Sequence, residues 1–323
     1  MDWLSRLLAL MPVAGRLDLR CHYGAPWRID SKMSEPGVAP YHIVLSGKAV
    51  MDDPAGGAPI CLEAGDILLL PAGAAHVLHD GSAVHPPPAR YRPALNHTIS
   101  ENDGEGKATE LLCGHFTVSH PHYHVIHRYL PSRLIVRRDR VGQAPSGTGA
   151  QLDQLVSLMK AETHFDGLGG SAMLNALSSA LFALTLRRAS EQQEAPTGLL
   201  ALAGYPRIAP ALSAMLSKPA HAWTLSQLAN VCNMSRASLA RHFADKLGHS
   251  AIELLLDIRI GYAANALRVP GTSTAAVAED VGYRSEAAFQ RVFKQKMGVT
   301  PAQWRRAATA IVPSPEIHEA QSL

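Results

Sequence analysis

Cysteine is scarce in this sequence: four residues in 323, at positions 21, 61, 113 and 232. That number excludes a disulfide scaffold, which packs many cysteines into a short chain. Aromatic residues are few as well, at 6%. No apolar run approaches the ~18–20 residues that a bilayer-spanning helix needs. Residues 1–15 lack the basic start and cleavage site of an export signal and read as an amphipathic helix. These absences predict a cytoplasmic protein with reduced thiols and no membrane partner. Net charge is small, +3, but 47% of residues are apolar, enough for a packed core. At ~150 residues per domain, the length predicts about two domains.

The small net charge hides an uneven distribution. Residues 201–311 carry 13 Lys+Arg against 6 Asp+Glu. Residues 1–200 carry 17 against 19, and residues 312–323 add two carboxylates. A basic C-terminal third on a near-neutral body points to a polyanion-binding module joined to something else. Histidine is uneven too: 11 of 16 precede residue 128.

Residues 17–80 hold short β-like runs, such as 41–45 and 67–70, separated by Gly and Pro. They predict a small antiparallel sheet system. Residues 81–110 open with three consecutive prolines at 86–88 and read as a long mobile loop. Strand character returns over 111–118, and 143–149 is a Pro/Gly/Ser linker. From residue 151 the period turns helical, with Leu152, Leu155, Val156, Leu158 and Met159 on one face. The expected class is α+β and multidomain. A β domain covers 1–150, a helical dimerisation or linker segment 151–200, an all-α domain 201–311, and a frayed tail 312–323.

The C-terminal third contains one approximate duplication. In the first copy, 224–243, Thr224 caps a helix with Leu225, Leu228 and Val231 on its apolar face. Asn233-Met234 makes the turn, Ser235 caps the next helix, and Leu239 and Phe243 face inward. Arg236, Ala237, Ala240 and Arg241 are left outside. In the second copy, 274–293, Gly282 permits the turn, Ser285 caps, and Phe289 and Phe293 repeat the inward pair. Glu286, Ala287, Gln290 and Arg291 are left outside. Each copy is a helix-turn-helix, whose second helix enters the major groove. A helix over 251–267 joins them and can set both reading helices on one DNA face, ~34 Å apart.

The run Gly282-Tyr-Arg-Ser-Glu-Ala-Ala-Phe-Gln-Arg-Val-Phe, continuing through Gly298-Val-Thr-Pro to Trp304-Arg305, resembles the signature of AraC/XylS transcription regulators. The resemblance covers about residues 205–307. It places the eight outward residues at the DNA-facing positions. Arg can pair guanine, Gln adenine, and Glu can accept from cytosine, while Ala offers only a methyl contact to thymine. It implies a regulator of promoter DNA, an activator that engages RNA polymerase, homodimeric, with no enzymatic activity and no cofactor.

Gly65-Asp-Ile-Leu-Leu-Leu-Pro-Ala-Gly-Ala-Ala-His76 resembles the second motif of cupins, small jelly-roll β-barrels. The first motif retains only His42, with no Glu at the right spacing. Two histidines are too few for a typical zinc site, so no metal is expected at His42 and His76. His120, His122 and His124 would share one side of a strand and could chelate a metal. Pro121 argues for a polar loop instead.

The start Met1-Asp-Trp-Leu-Ser-Arg-Leu-Leu-Ala-Leu10, Cys21, the 65–76 run and Cys113-Gly114 resemble the AraC-type regulators that answer reactive chlorine. In that subgroup the paired cysteines match Cys21 and Cys113, which implies redox sensing there. Arg20, His22 and His115 nearby would favour the reactive thiolate. The alternatives are a small ligand or a metal in the barrel, or a cupin metalloenzyme with a DNA-binding appendage.

Overall fold

The computed structural model describes residues 2–52, 57–119, 122–139, 147–165, 167–192 and 198–310. His120, most of the 143–149 linker and the 312–323 tail lie outside the described residues. The elements in chain order begin with helix α1 (Trp3–Leu10) and strands β1 (Val13–Gly24), β2 (Arg28–Ser31), β3 (Val38–Ser46) and β4 (Lys48–Asp52). Then come β5 (Ile60–Glu63), β6 (Ile67–Leu69), β7 (His76–His79), β8 (Arg90–Pro93), β9 (Thr98–Glu101) and β10 (Ala108–Val118). Helix α2 (Tyr123–Tyr129) and strand β11 (Leu134–Val136) precede α3 (Gly147–Glu162), α4 (Gly170–Glu191) and α5 (Leu199–Ala203). The remainder is α6 (Ala209–Ser217), α7 (Leu225–Val231), α8 (Arg236–Leu247), α9 (Ala251–Ala266), α10 (Thr274–Asp280), α11 (Glu286–Met297) and α12 (Pro301–Ala310).

These elements form two compact units. One comprises Met11–Pro206 with Asp245–Gly248, the other Met1–Leu10 with Arg207–Ala244 and His249–Leu323. The expected β domain over 1–150 is therefore different at both ends. It starts after α1 and takes in α3, α4 and α5.

In the β unit, a seven-stranded sheet runs β11-β6-β3-β10-β1-β9-β8 and a four-stranded sheet runs β2-β7-β4-β5. Their inward side chains, among them Cys21, Val44, Met51, Leu62, Leu68 and Leu111, make one core. This is the cupin-like sandwich. Strand period explains the choice, since alternate residues of β1 and β10 face this core. The turn at Pro71–Ala72–Gly73 closes through Gly73 N–H donating to Leu70 O at 2.9 Å. Gly73 has φ +66, and a Cβ there would meet Val38 O at 2.7 Å, so only glycine fits.

Residues 81–110 are not one loop. They contain β8 and β9, and β9 pairs in parallel with β1. All four β8 residues are exposed, so no apolar alternation marks the strand. Helix α4 packs on β1, where Gly15 N–H donates to Ser179 Oγ at 2.9 Å. Leu152, Leu155 and Met159 of α3 are buried as expected, but Leu158 is exposed.

In the helical unit, Leu4, Leu7 and Leu10 bury one face of α1 against α6 and α9. Asn265 Nδ2 of α9 donates to Leu10 O at 2.8 Å. Trp304 Nε1 donates to Ala264 O at 2.9 Å and fixes α12 on the same α9. Leu239, Phe243, Phe289 and Phe293 are wholly buried. Val231, expected on an apolar face, is exposed at the end of α7.

Candidate functional site

Two sites come out of this architecture, a reading surface in the helical unit and a thiol pair in the β unit. Thr224 caps α7 through a capping box with Gln227, which satisfies two helix-end donors at once. Asn233 supplies the left-handed turn residue (φ 51) of the first unit, and Gly282 (φ +85) that of the second. Ser235 accepts from Ser238 N–H at 3.1 Å, and Ser285 from Ala288 N–H at 3.4 Å, starting α8 and α11. With the inward pairs locked, Arg236, Ala237, Ala240, Arg241, Glu286, Ala287, Gln290 and Arg291 are all exposed. Gln290 Nε2 donates to Glu286 Oε1 at 2.8 Å. Cys232 lies on the packing side, its Sγ 3.9 Å from Ile208 O.

In the β unit, Cys21 on β1 and Cys113 on β10 are buried with their sulfurs 3.9 Å apart. Neither is in a disulfide. The hydrogen bond from Cys113 holds the Cys21 thiol below its ordinary range, against the cost of burial. The same bond, together with burial, pushes Cys113 well up. The proton of the pair therefore stays on Cys113, and Cys21 is the more readily ionised sulfur.

The side chains expected to favour the thiolate are engaged elsewhere. Strand alternation turns Arg20 and His22 to the other side of β1. There Arg20 bonds Glu110 and His164, and Lys160 Nζ donates to Glu110 Oε2 at 3.0 Å. His115 Nδ1 lies 2.6 Å from Asp18 Oδ2. The thiol neighbour is His42 of β3, whose Nδ1 is 3.0 Å from Cys113 Sγ. His42 Nε2 is 2.7 Å from His76 Nε2, and His76 Nδ1 is 2.9 Å from Ala74 O. Burial and the neighbouring His76 hold His42 down to about 3, so it is neutral at rest. Burial also lowers His76, while the Ala74 carbonyl pulls it back up. The sequence names both histidines through the cupin motifs but not their link to a thiol. Residue 42 lies 71 positions from residue 113, and only pairing of β3 with β10 brings them together.

His122 and His124 do not share a strand, and His120 lies outside the described residues. His122 is buried ahead of α2 and His124 lies within it. Helical geometry sends residues two apart to different sides, which undoes the shared face. Among the described residues no group of three or more His, Cys, Asp or Glu side chains is placed to hold a metal ion. Among the described residues no helix is long and apolar enough to cross a membrane.

A β-sandwich domain joined to two helix-turn-helix units defines a two-domain transcriptional regulator. Residues 2–191 match the cupin family and residues 228–307 a helix-turn-helix domain. The chain belongs to that cupin family and is an AraC-family transcriptional regulator with a cupin-like N-terminal domain. It is 28% identical to the RCS-specific HTH-type transcriptional activator RclR of Escherichia coli (strain K12) over 316 residues, 97% of this chain and 100% of that protein. It is also 28% identical to the HTH-type transcriptional regulator MtrA of Neisseria gonorrhoeae, over 95% of this chain and 98% of that one. Among solved structures, ToxT from Vibrio cholerae O395 aligns over 94% of this chain and 100% of its own, at 14% identity and a TM-score of 0.37.

Proposed function

We propose that this regulator is a cytoplasmic transcription activator that answers reactive chlorine through Cys21 and Cys113. The observation that carries the reading is the buried 3.9 Å approach of these two sulfurs across neighbouring strands. A two-electron oxidant converts such a pair to a disulfide once one sulfur is activated. The name of the Escherichia coli relative supports the same signal and the same direction of control.

DNA is the other partner. Arg236, Ala237, Ala240 and Arg241 read one half of a duplex promoter site, and Glu286, Ala287, Gln290 and Arg291 the other. RNA polymerase is the downstream partner of an activator of this kind. The protein works as a homodimer through α3 and α4, which leave Leu158, Phe165, Leu168 and Met173 exposed at and between them. Its role is regulatory rather than catalytic.

The test uses the full chain and a reporter under its own promoter. Cys21→Ser is expected to abolish induction by hypochlorous acid while retaining operator binding. Normal induction by that variant would overturn the redox reading. Changing both Arg241 and Arg291 to Ala is expected to remove sequence-specific binding, and full retention would overturn the assignment of those residues. Sedimentation of a Phe165→Asp, Leu168→Asp variant tests the dimer surface, with a monomer expected.

A further inference from the structure

The barrel core contains a hydrogen-bonded chain that leads away from the thiol pair. Its direction can be assigned from the network. Ala74 O only accepts, so the neutral His76 carries its proton on Nδ1 and presents a lone pair at Nε2. His42 therefore carries its own proton on Nε2, pointing to His76. The Nδ1 lone pair of His42 is then left facing Cys113 Sγ at 3.0 Å. Cys113 has a single S–H, which it gives to Cys21 at rest and can turn to His42 Nδ1 once Cys21 is oxidised; all four side chains are buried.

We propose that His42 is the base that takes the proton of Cys113 during disulfide formation, and that His76 is a positioning residue that holds His42 and receives the proton from it. The inference rests on reading Cys21 and Cys113 as the oxidant sensor. It also fixes the order of events. The Cys21 thiolate attacks the chlorine of hypochlorous acid. An S–Cl bond forms, the O–Cl bond breaks, and hydroxide leaves. Cys113 Sγ then attacks Cys21 Sγ. The S–S bond forms, the S–Cl bond breaks, and chloride departs with its electron pair. The Cys113 proton passes to His42 Nδ1, and the Nε2 proton of His42 passes to His76. When His76 gives up the relayed proton to the released hydroxide, the sum is one disulfide, one chloride and one water from one thiolate, one thiol and one hypochlorous acid.

The geometry explains why a base is required. Cys113 is buried, with little water to take its proton, and a thiol is a far weaker nucleophile than a thiolate. His42 is too weak a base to ionise Cys113 at rest. It becomes sufficient when sulfur gives up electron density to the new S–S bond and its proton turns acidic. The resting pair thus keeps one protected thiol, and Cys113 responds only to an already oxidised Cys21. The other titratable groups around the pair are Tyr23, Tyr41 and Asp18. Burial holds both phenols protonated, and Asp18 is bonded to His115 and Arg16.

The test follows two rates in the reduced full-length protein after one equivalent of hypochlorous acid, from pH 5.5 to 8.5. Loss of the Cys21 thiol is read by quenched alkylation under denaturing conditions, and the disulfide by mass spectrometry. His42→Gln is expected to lose the Cys21 thiol at the wild-type rate but to close the disulfide at least ~10²-fold more slowly, the usual worth of a general base. The stranded Cys21 sulfenyl chloride should then be hydrolysed, water forming the S–O bond and chloride leaving with a proton, and the resulting sulfenic acid should be trapped by dimedone. His76→Gln keeps the His42 base but removes the imidazole that orients it and takes its proton, and is expected to slow closure less and to shift its pH profile. The unchanged Cys21 rate separates both effects from misfolding. Wild-type closure rates in His42→Gln, or loss of both rates together, would overturn the proposal. Failure of the wild-type protein to form any Cys21–Cys113 disulfide would instead overturn the sensor reading beneath it.

Discussion

Cys21 and Cys113 approach sulfur to sulfur without being register partners: Cys21 lies opposite Leu111, and Cys113 opposite Leu19. The contact is diagonal across the β1–β10 ladder, beside the register shift between Leu17 and Leu19. A disulfide needs ~2.05 Å, so the sulfurs must close by about 1.9 Å from their 3.9 Å separation. A shift of β1 along β10 is one way to close a diagonal pair. Strand β1 is joined through Met11 and Pro12 to α1, which belongs to the helical unit. Displacement of the strand therefore has a covalent path to the DNA-binding half.

That path predicts a separation of binding from signalling. Asn265→Ala removes the bond to Leu10 O, a loss of about 1 kcal/mol. The reduced variant should bind its operator normally, yet induction by oxidant should fall. Parallel gel-shift and reporter measurements check this, and equal loss in both would refute it.

Thiol reactivity should divide by exposure. Cys61 is exposed on β5, while Cys21, Cys113 and Cys232 are buried. Iodoacetamide on the native reduced protein should modify Cys61 first, and the other three only as the fold opens. Peptide mapping against time reads the order. Rapid labelling of Cys113 would contradict its buried position.

The Glu286–Gln290 bond predicts an effect on base preference. Pairing with adenine uses the Gln290 amide, whose orientation the bond to Glu286 now fixes by taking one of its two N–H donors. Glu286→Ala should strengthen discrimination for adenine at the position Gln290 reads, while Arg291→Ala should cost ~1–3 kcal/mol of specific affinity. Binding to a randomised operator library measures both. An unchanged preference in Glu286→Ala would place that helix face away from the bases.

Acid should destabilise the β unit through its core histidines. His42 takes up a proton near 6.5 when unfolded but only at about 3 when folded. Between those values the unfolded chain binds the extra proton, so stability falls as pH falls. The slope is at most ~1.4 kcal/mol per pH unit, and His76 acts in the same direction. His42→Gln should flatten the decline in unfolding midpoint between pH 7 and pH 4. A decline as steep as wild type would show that other groups carry it.

The helix-turn-helix units were legible because their determinants are local. Caps at Thr224, Ser235 and Ser285 and the i, i+4 pairs Leu239/Phe243 and Phe289/Phe293 all lie within one or two turns of the elements they define. The turn at Gly73 was legible for the same reason. Strands β8 and β9 were not, because such short polar segments carry no alternation and are strands only by pairing, β9 with β1 and β8 with β9. Cys21 and Cys113 were named by family resemblance, while their environment was misjudged from sequence neighbours. Arg20 and His22 are adjacent to Cys21 in the chain and on the opposite side of the strand in space.

By itself, then, the sequence determined a basic double reading module, a cupin-like β domain and the two cysteines worth watching. Short-range periodicity and capping suffice for such features. The tertiary structure alone decided that His42 lies against Cys113 and His76, that Arg20 bonds Glu110, and that α1 joins the helical unit through Asn265, 255 residues away from Leu10. Those choices depend on strand register and on which faces remain to be buried, and neither is encoded in any one stretch of chain.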